Sequence, residues 1–230
     1  MKMEGDNAAR QLDLSRDGAC LLPGAASAIL PELDALAAPL SPARAGHRLE
    51  GHAILRALTA LGGPLQRLAA ARMGPRARAV RALFFNKSDD ANWALDWHQD
   101  RTIAVQAQHD VAGFGPWTVK AGTPHVAPPF ALLAGMLTMR VHLDVVPADN
   151  APLLIAPGSH RLGLVPETEI AAAVAHCGTS ACLAARGDVW LYATPILHAS
   201  ERAQPGGSRR VLQLDFATEP LPPPLSWRGV

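Results

Sequence analysis

The stretch Trp97-His98-Gln99-Asp100 carries a histidine and an aspartate two positions apart, and we expect this pair at the start of a strand. Side chains of an extended segment alternate between its two faces, so both groups point the same way and are placed to hold one ion. His198, far along the chain, is the candidate third ligand. Two histidines and a carboxylate form the facial triad that holds non-haem Fe(II) and leaves coordination positions open.

A second pair of the same form, His142-Leu143-Asp144, competes with the first. It ends a predicted strand that runs into a turn at Pro147-Ala148-Asp149-Asn150, where Asp144 is expected to bind backbone groups of the turn. Spacing alone leaves both pairs open as metal ligands. The other histidines are expected to be surface or hydrogen-bonded residues; they are His47, His52, His109, His125, His160 and His176.

The composition limits the class of protein. The chain has 230 residues, of which 49% are hydrophobic, and a net charge of +1. This size favours one domain with a sizeable core, and the balanced charge argues against nucleic acid or a membrane surface as partner. Three cysteines without a CxxC spacing indicate neither a disulfide framework nor a zinc-thiolate site. The polar opening stretch lacks the apolar core of a secretory signal, so we expect a cytoplasmic protein.

Hydrophobic periodicity divides the chain into a helical part and a strand-rich part. Helices are predicted at 25–38 and 50–72, with a break in the second at Gly62-Gly63-Pro64, and a short segment at 13–23 leads into a strand. One further helix is expected at 167–176. The predicted strands are 80–85, 102–106, 132–143, 152–156, 188–192 and 210–216. This order favours a mainly β fold, a sandwich or jelly roll, with helices buttressing one outer face.

A basic residue on the last predicted strand fits a pocket beside the metal. Strand alternation places Arg209 on the face opposite to Arg210. The Arg209 guanidinium offers a planar, bidentate partner for a carboxylate, and Ser200, two residues after His198, adds a hydroxyl on the same side. The alternative for Arg209 is a solvated charge at the end of the strand.

Four motifs together resemble one known family. They are NWALDWHQD at 92–100, DNAPLLIAPGSH at 149–160, GDVWL at 187–191, and HAS at 198–200 followed by Arg209. The set is similar to the phytanoyl-CoA dioxygenase family of Fe(II)- and 2-oxoglutarate-dependent oxygenases, from about Asp17-Gly18 to about Ala217. One departure is Ala151, where the family usually has glycine.

The resemblance implies a double-stranded β-helix, a cupin-like jelly roll, and decides between the two His-x-Asp pairs. It implies that His98, Asp100 and His198 bind iron, and that Arg209 and Ser200 hold the distal carboxylate of 2-oxoglutarate. The expected reaction uses O2, converts 2-oxoglutarate to succinate and CO2, and hydroxylates a small organic substrate. The carboxylate of Asp100 supports hydroxylation, because related halogenases have a small residue there. We expect a single domain with a helical buttress, a jelly-roll core and a C-terminal tail at 1–79, 80–217 and 218–230.

Other residues are candidates for binding the co-substrate or the substrate. Lys87 and Arg140 are predicted to bind a carboxylate of 2-oxoglutarate or of an acidic substrate, because an unpaired buried charge is costly. The long loop at 107–130 is a candidate lid. Its candidate substrate contacts are Trp117, Lys120 and His125, against the alternative of ordinary loop residues.

Two other functions remain open on the sequence. The first is a non-catalytic jelly-roll protein that binds a small acid, and the second is an oxygen-independent, metal-dependent isomerase or hydrolase on the same fold. Open coordination positions on iron favour the oxygenase, since a binding protein has no use for them.

Overall fold

The computed structural model describes residues 11–87, 92–203 and 209–230, so residues 1–10 of the polar opening stretch lie outside it. The helices are α1 (Leu14–Asp17), α2 (Leu30–Ala37), α3 (Ala53–Thr59), α4 (Pro64–Met73), α5 (Phe130–Ala134) and α6 (Ile170–Cys177). Short 3-10 helices lie at Ser27–Ile29, Ser159–Arg161 and Glu167–Glu169. The strands are β1 (Ala19–Leu22), β2 (Gly46–Arg48), β3 (Arg78–Lys87), β4 (Leu95–His98), β5 (Ile103–Ala104), β6 (Trp117–Lys120), β7 (Thr123–Val126), β8 (Leu137–His142), β9 (Leu153–Ile155), β10 (Ser180–Cys182), β11 (Val189–Ala193), β12 (His198–Ser200) and β13 (Arg209–Ala217).

Two antiparallel sheets face each other around the interior. The major sheet has the strand order β1-β11-β8-β13-β3-β2, and the minor sheet has the order β10-β9-β12-β4. A small third sheet, β5-β7-β6, adjoins them. Apolar side chains from both main sheets, such as Tyr192 of β11 and Ile155 of β9, share one buried cluster between them. This arrangement confirms the predicted mainly β, jelly-roll class.

The alternation predicted for the last strand is confirmed by β13. Leu212, Leu214 and Phe216 are fully buried in the cluster that also contains the helices. Gln213 and Asp215 point to the opposite face, toward the minor sheet, and are also buried. One face of the strand is therefore core, and the other face carries polar groups into the interior.

Helices α2, α3 and α4 cover the outer face of the major sheet, as predicted. Leu33, Leu55 and Leu65 are fully buried against the sheet, and each contributes roughly 1.5–3 kcal/mol by leaving water. The predicted break between α3 and α4 is present at Gly62, which has a φ of 76°. At Gly63 a Cβ would lie 2.7 Å from the Leu58 carbonyl oxygen, so the backbone packs too closely there for any side chain.

Several elements differ from the prediction. The run at 132–143 is not one strand, since its first part lies in α5 and pairing begins only at Leu137. The region at 107–130 is not a long loop, because β6 and β7 form a hairpin in it. Lys120 pairs with Thr123 across the two-residue turn Ala121-Gly122, whose residues have φ of 48° and 79°. Prolines in this region and an alanine in place of the usual turn asparagine hid the hairpin signal.

The chain after β13 is packed against the domain. Leu221 and Leu225 are buried in a cluster with Val80 and Val126, and the Gly229 N–H donates to the Val80 carbonyl at 3.0 Å. The predicted tail is therefore part of the wall beside β3. Among the described residues, no helix combines the length and the apolar character that a membrane crossing requires.

Candidate active site

The minor sheet brings the two candidate histidine ligands together. His98, the last residue of β4, is the direct cross-strand partner of His198, the first residue of β12, and their ring centroids are 4.2 Å apart. Asp100 follows just after β4, so the ligand pair ends a strand and does not begin one, contrary to the expectation. One ligand atom from each of the three residues lies within 4.8 Å of the others. No other group of three such residues occurs in the described part of the chain.

Both imidazoles are oriented by backbone carbonyls. Nδ1 of His98 lies 2.7 Å from the Asp96 oxygen, and Nδ1 of His198 lies 2.9 Å from the Ile196 oxygen. A carbonyl only accepts hydrogen bonds, so each Nδ1 carries the hydrogen and each Nε2 keeps a free lone pair for a metal. Burial lowers the pKa of His198 to about 4, which keeps its ring neutral at pH 7. This donor set fits Fe(II).

The candidate carboxylate ligand, Asp100, lies beside an arginine that the sequence interpretation missed. The Arg81 guanidinium lies 3.7 Å from Asp100 and donates to the buried Asp215 at 2.5 Å. Burial alone would raise the pKa of Asp100, but the positive charge of Arg81 holds it below its ordinary value. Asp100 is therefore ionised and ready to bind a cation. Arg81 shares a face of β3 with Lys87, and this alternation was the available signal.

The competing His-x-Asp pair is built differently. Asp144 forms an ion pair with Arg210 at 2.6 Å and accepts the Arg210 backbone N–H at 2.7 Å. His142 is buried, and neither of its ring nitrogens has a hydrogen-bond partner among the described residues. Burial and the nearby Arg140 and Arg209 lower the pKa of His142 to about 3, so it is neutral. Asp144 thus binds a backbone N–H at the start of β13, whereas the sequence predicted that it binds backbone groups of the turn at 147–150.

An inner cavity of about 120 Å³ lies between the two main sheets. The candidate metal ligands, Ser200, Arg140 and Arg209 all contribute to its wall. Arg140 and Arg209 are buried, and no carboxylate of the described residues is within ion-pair distance of either. The Nε atom of each has no partner there. Burial and the charge of Arg140 lower the pKa of Arg209 to about 9, so this cavity favours an anion.

Lys87 stands behind the wall of this cavity. It is fully buried and is the cross-strand partner of Arg209. Its Nζ donates to Ser200 Oγ at 3.0 Å and to the Glu201 carbonyl, and lies 5.0 Å from the centre of the Trp93 ring. Burial and the arginine charges lower the pKa of Lys87 to about 7. Three basic side chains thus converge on one end of the cavity.

An outer cleft of about 790 Å³ lies on the other side of the ligands. His98 and Asp100 line both spaces, so the candidate metal position is shared by the inner cavity and the outer cleft. The far wall of the cleft includes Ile170 and Ala171 of α6. This geometry provides one space for a small anion and another for a larger molecule.

The three candidate substrate contacts lie in different surroundings. Lys120 lines the outer cleft, and its Nζ donates to Thr102 Oγ1 at 3.1 Å. Trp117 instead packs on the apolar cluster beside β3. His125 is buried in β7, with Nδ1 2.9 Å from the Thr123 carbonyl. Of the three, the structure brings Lys120 to the wall of the cleft.

Sequence comparison decides the family. The model of the family described as phytanoyl-CoA dioxygenase (PhyH) matches residues 14–211. The chain belongs to this family. No curated protein matches it. Members of the phytanoyl-CoA dioxygenase family use Fe(II), 2-oxoglutarate and O2, which confirms the predicted cofactor set and makes the protein an enzyme of this class.

Solved structures with the same fold agree with the family assignment. SnoN, a non-haem α-ketoglutarate-dependent epimerase from nogalamycin biosynthesis, is 19% identical with a TM-score of 0.61, and 88% of this chain and 78% of that one are covered. HygX from Streptomyces hygroscopicus, solved with nickel and 2-oxoglutarate, is 14% identical with a TM-score of 0.60, covering 89% and 83%. EctD from S. alaskensis is 19% identical with a TM-score of 0.59, covering 94% and 78%. At these identities the likeness concerns the fold, and it confirms the double-stranded β-helix.

The position that departs from the family pattern has a structural explanation. Ala151 has a φ of 45°, in the left-handed region where glycine is favoured. Its carbonyl oxygen accepts a hydrogen bond from Arg209 Nη1. The turn therefore keeps the conformation expected of a glycine, at the cost of strain in the alanine backbone, and presents its carbonyl to the inner cavity's arginine.

Proposed function

We propose that the protein is an Fe(II)- and 2-oxoglutarate-dependent hydroxylase of a small organic molecule. His98, Asp100 and His198 are proposed to hold the iron. The inner cavity is proposed to hold 2-oxoglutarate, and the outer cleft the substrate. Bound Fe(II) with 2-oxoglutarate would supply the oxidation by O2 that releases succinate and CO2 and oxidises the substrate.

One observation carries this proposal. The three candidate ligands lie together, and two of them, His98 and Asp100, separate an outer cleft from an inner cavity whose buried arginines have no carboxylate partner among the described residues. A buried cation without a carboxylate partner is costly, and a bound dicarboxylate relieves that cost. A protein that only bound a small acid would not need two imidazoles and an ionised carboxylate at the edge of the same cavity.

The residues of the chain divide the work of binding and orientation. Arg209 is proposed to bind the distal carboxylate, with Ser200 donating a hydroxyl and Lys87 supporting that hydroxyl from behind. Arg140 is proposed to add a second guanidinium, which also accounts for its position on the inner face, where its Nη1 donates to Gln213 at 3.4 Å. Arg81 keeps Asp100 ionised and in place. Burial of these groups excludes water from the cavity, which strengthens each charged contact.

Hydroxylation is proposed over halogenation because the carboxylate of Asp100 would occupy the coordination position that a halide takes in related halogenases. The solved structures of this fold include an epimerase, SnoN, and a carbocyclase, SnoK. A hydroxylated product gains one oxygen atom, whereas epimerisation leaves the mass unchanged. Mass spectrometry of the product formed under 18O2 separates these outcomes.

Anaerobic addition of Fe(II) and then 2-oxoglutarate tests the metal site. The expected result is a weak visible charge-transfer band that is lost in His98→Ala, followed by succinate formation in air. His142→Ala is the matched control, since it removes the histidine of the competing pair and should keep the band. Absence of a band together with absence of succinate would favour the protein that binds a small acid without catalysis.

Screening small acids, amino acids and peptides for stimulated succinate release then identifies the substrate class. Lys120→Met should weaken the binding of an acidic substrate, because Lys120 lies in the cleft beside Asp100. A substrate whose apparent KM is the same with Lys120 and with methionine does not use this contact.

A further inference from the structure

Gln99, between the two ligands of the first motif, points away from the metal position and is buried. Its Nε2 donates to the Pro195 carbonyl at 2.8 Å and to the Gly163 carbonyl at 3.0 Å, and its Oε1 accepts the Val165 N–H at 2.9 Å. Both amide hydrogens are therefore used, and one side chain joins three separate segments of the chain.

Arg101, just after the aspartate ligand, reaches the same segment from the other side. Its Nη2 donates to the Val165 carbonyl at 2.5 Å, and its Nη1 lies 3.8 Å from Glu167. The N–H and the C=O of Val165 are thus both bound by residues that alternate with the ligands. Strand-like alternation explains this pattern, since 98 and 100 face one way and 99 and 101 the other.

The segments bound by Gln99 border both sides of the site. Residues 163–167 lead directly into the 3-10 turn and α6, which supplies Ile170 and Ala171 to the wall of the outer cleft. Pro195 lies three residues before His198, within the turn between β11 and β12. A single buried amide therefore fixes the ligand pair, the approach to the third ligand and the cleft wall relative to each other.

We propose that Gln99, assisted by Arg101, is a positioning residue that sets the distance between the α6 wall of the cleft and the metal ligands. A substrate lying against α6 is thereby held at a defined distance from the metal, and the spacing of His98 and His198 is kept as well. The role in placing a substrate near the metal rests on the proposed function. The hydrogen bonds that join Gln99 and Arg101 to residues 163–167 and Pro195 belong to the folded chain whatever its function.

The test compares Gln99→Leu with Gln66→Leu. Gln66 is a matched control because it is equally buried and makes the same set of bonds in the helical layer, accepting from Gly62 N–H and donating to the Pro75 and Ala77 carbonyls. Both variants are expected to lose thermal stability. Gln99→Leu alone should weaken Co(II) binding, followed by tryptophan fluorescence, on the order of tenfold or more, as loss of residues supporting metal ligands does. It alone should also speed amide hydrogen exchange over residues 163–177 by about tenfold.

Arg101→Met provides a second, milder variant in case Gln99→Leu does not fold. It removes one bond to Val165 and should also speed exchange over residues 163–177, with no change around α4. The proposal is overturned if amide hydrogen exchange over residues 163–177 is unchanged in Gln99→Leu, or in Arg101→Met where only this variant folds. It is also overturned if Gln66→Leu weakens Co(II) binding as much as Gln99→Leu does. Failure of the unaltered protein to bind Co(II) would count against the proposed function, whereas the exchange result would still decide whether the linkage exists.

Discussion

Arg209 and Arg210 are adjacent in sequence, yet the structure gives them opposite surroundings. Arg209 is buried at the inner cavity with its Nε unpaired among the described residues, whereas Arg210 lies on the other face and pairs with Asp144 and Asp34. Strand alternation predicted this division, because one residue in two must face the interior. The guanidinium of Arg209 is therefore proposed to bind a ligand, whereas the guanidinium of Arg210 stabilises the fold.

Replacing each arginine by methionine tests this division. Arg209→Met is expected to raise the Kd for 2-oxoglutarate by roughly tenfold to a hundredfold, since a hydrogen bond to a charged group is worth about 1.5–3 kcal/mol. Arg210→Met should leave this Kd within about twofold and lower stability by no more than ~1 kcal/mol, because its ion pairs are partly exposed. Calorimetry with Mn(II) and 2-oxoglutarate measures both constants. Equal losses of affinity in the two variants would contradict the assignment of Arg209.

We expect Lys87 to give the proposed 2-oxoglutarate site a pH dependence. Its pKa is lowered to about 7 by burial and by Arg209 and Arg140, so it is a cation below pH 7 and neutral above it. A dianion in the cavity prefers the cation, so the Kd for 2-oxoglutarate should rise as the pH rises through 7, by at most about tenfold per pH unit. Lys87→Met should flatten this rise in a titration from pH 6 to 8.5. A profile of the same slope in the variant would assign the pH dependence to another group.

The sign for stability follows from the same pKa. In the unfolded chain a lysine titrates near 10.4, so between pH 7 and that value the unfolded state binds more protons than the folded state. The ligand-free protein should therefore become more stable as the pH rises through this window, and Lys87→Met should lose this increase.

Other residue roles were not accessible from the sequence. The sequence predicts no role for Gln99, because its partners Gly163, Val165 and Pro195 are distant in sequence. Arg81 was overlooked although it alternates with Lys87 on β3, since the binding of Asp100 by a residue of another sheet depends on how the two sheets face each other. Side-chain contacts between distant segments leave no periodic signal.

At the scale of elements, regular periodicity was the reliable signal. Helices α3 and α4, their break, and the strands β3, β9, β11 and β13 appear where apolar spacing predicted them. The short helix α5 and the β6–β7 hairpin did not, because five residues such as FALLA fit a strand or a helix equally well and tertiary packing decides. The strand β2 is three residues long and carries too little pattern to detect.

The hairpin turn offers a test of backbone strain. Ala121 is exposed and has a φ of 48°, a conformation that costs an L-residue roughly 1–2 kcal/mol. Ala121→Gly removes this strain, but glycine also has more backbone freedom in the unfolded chain, which offsets part of the gain. The variant should therefore be more stable by about 0.5–1 kcal/mol, which raises Tm by about 1–4 °C. Ala131→Gly, at an exposed position of α5, is the control and should lower Tm by a similar amount. A lower Tm for Ala121→Gly would mean that the turn is not strained.

At the scale of the whole molecule, ligand binding should appear as added stability. Mn(II) is expected at the candidate metal ligands, and 2-oxoglutarate at the three basic side chains around the inner cavity. A ligand that binds only the folded state stabilises that state by about 2.7 kcal/mol when its concentration is a hundred times its Kd. Mn(II) at that excess should raise Tm by roughly 5–10 °C, and 2-oxoglutarate should add a further increase. Scanning calorimetry measures the shifts. His98→Ala should abolish the first shift, and the same Mn(II) shift in this variant would place the ion elsewhere.

The direct pairing of His98 with His198 also has a consequence for how the protein is made. These two residues meet only when β4 and β12 are hydrogen-bonded to each other, and the intervening chain contains β8 and β11 of the major sheet and β9 and β10 of the minor sheet. A ribosome that has released β4 but not yet β12 exposes one histidine and one aspartate, which are too few to retain an iron ion firmly. We therefore expect the proposed metal site to bind its ion only after residue 198 has been translated and β12 has paired with β4.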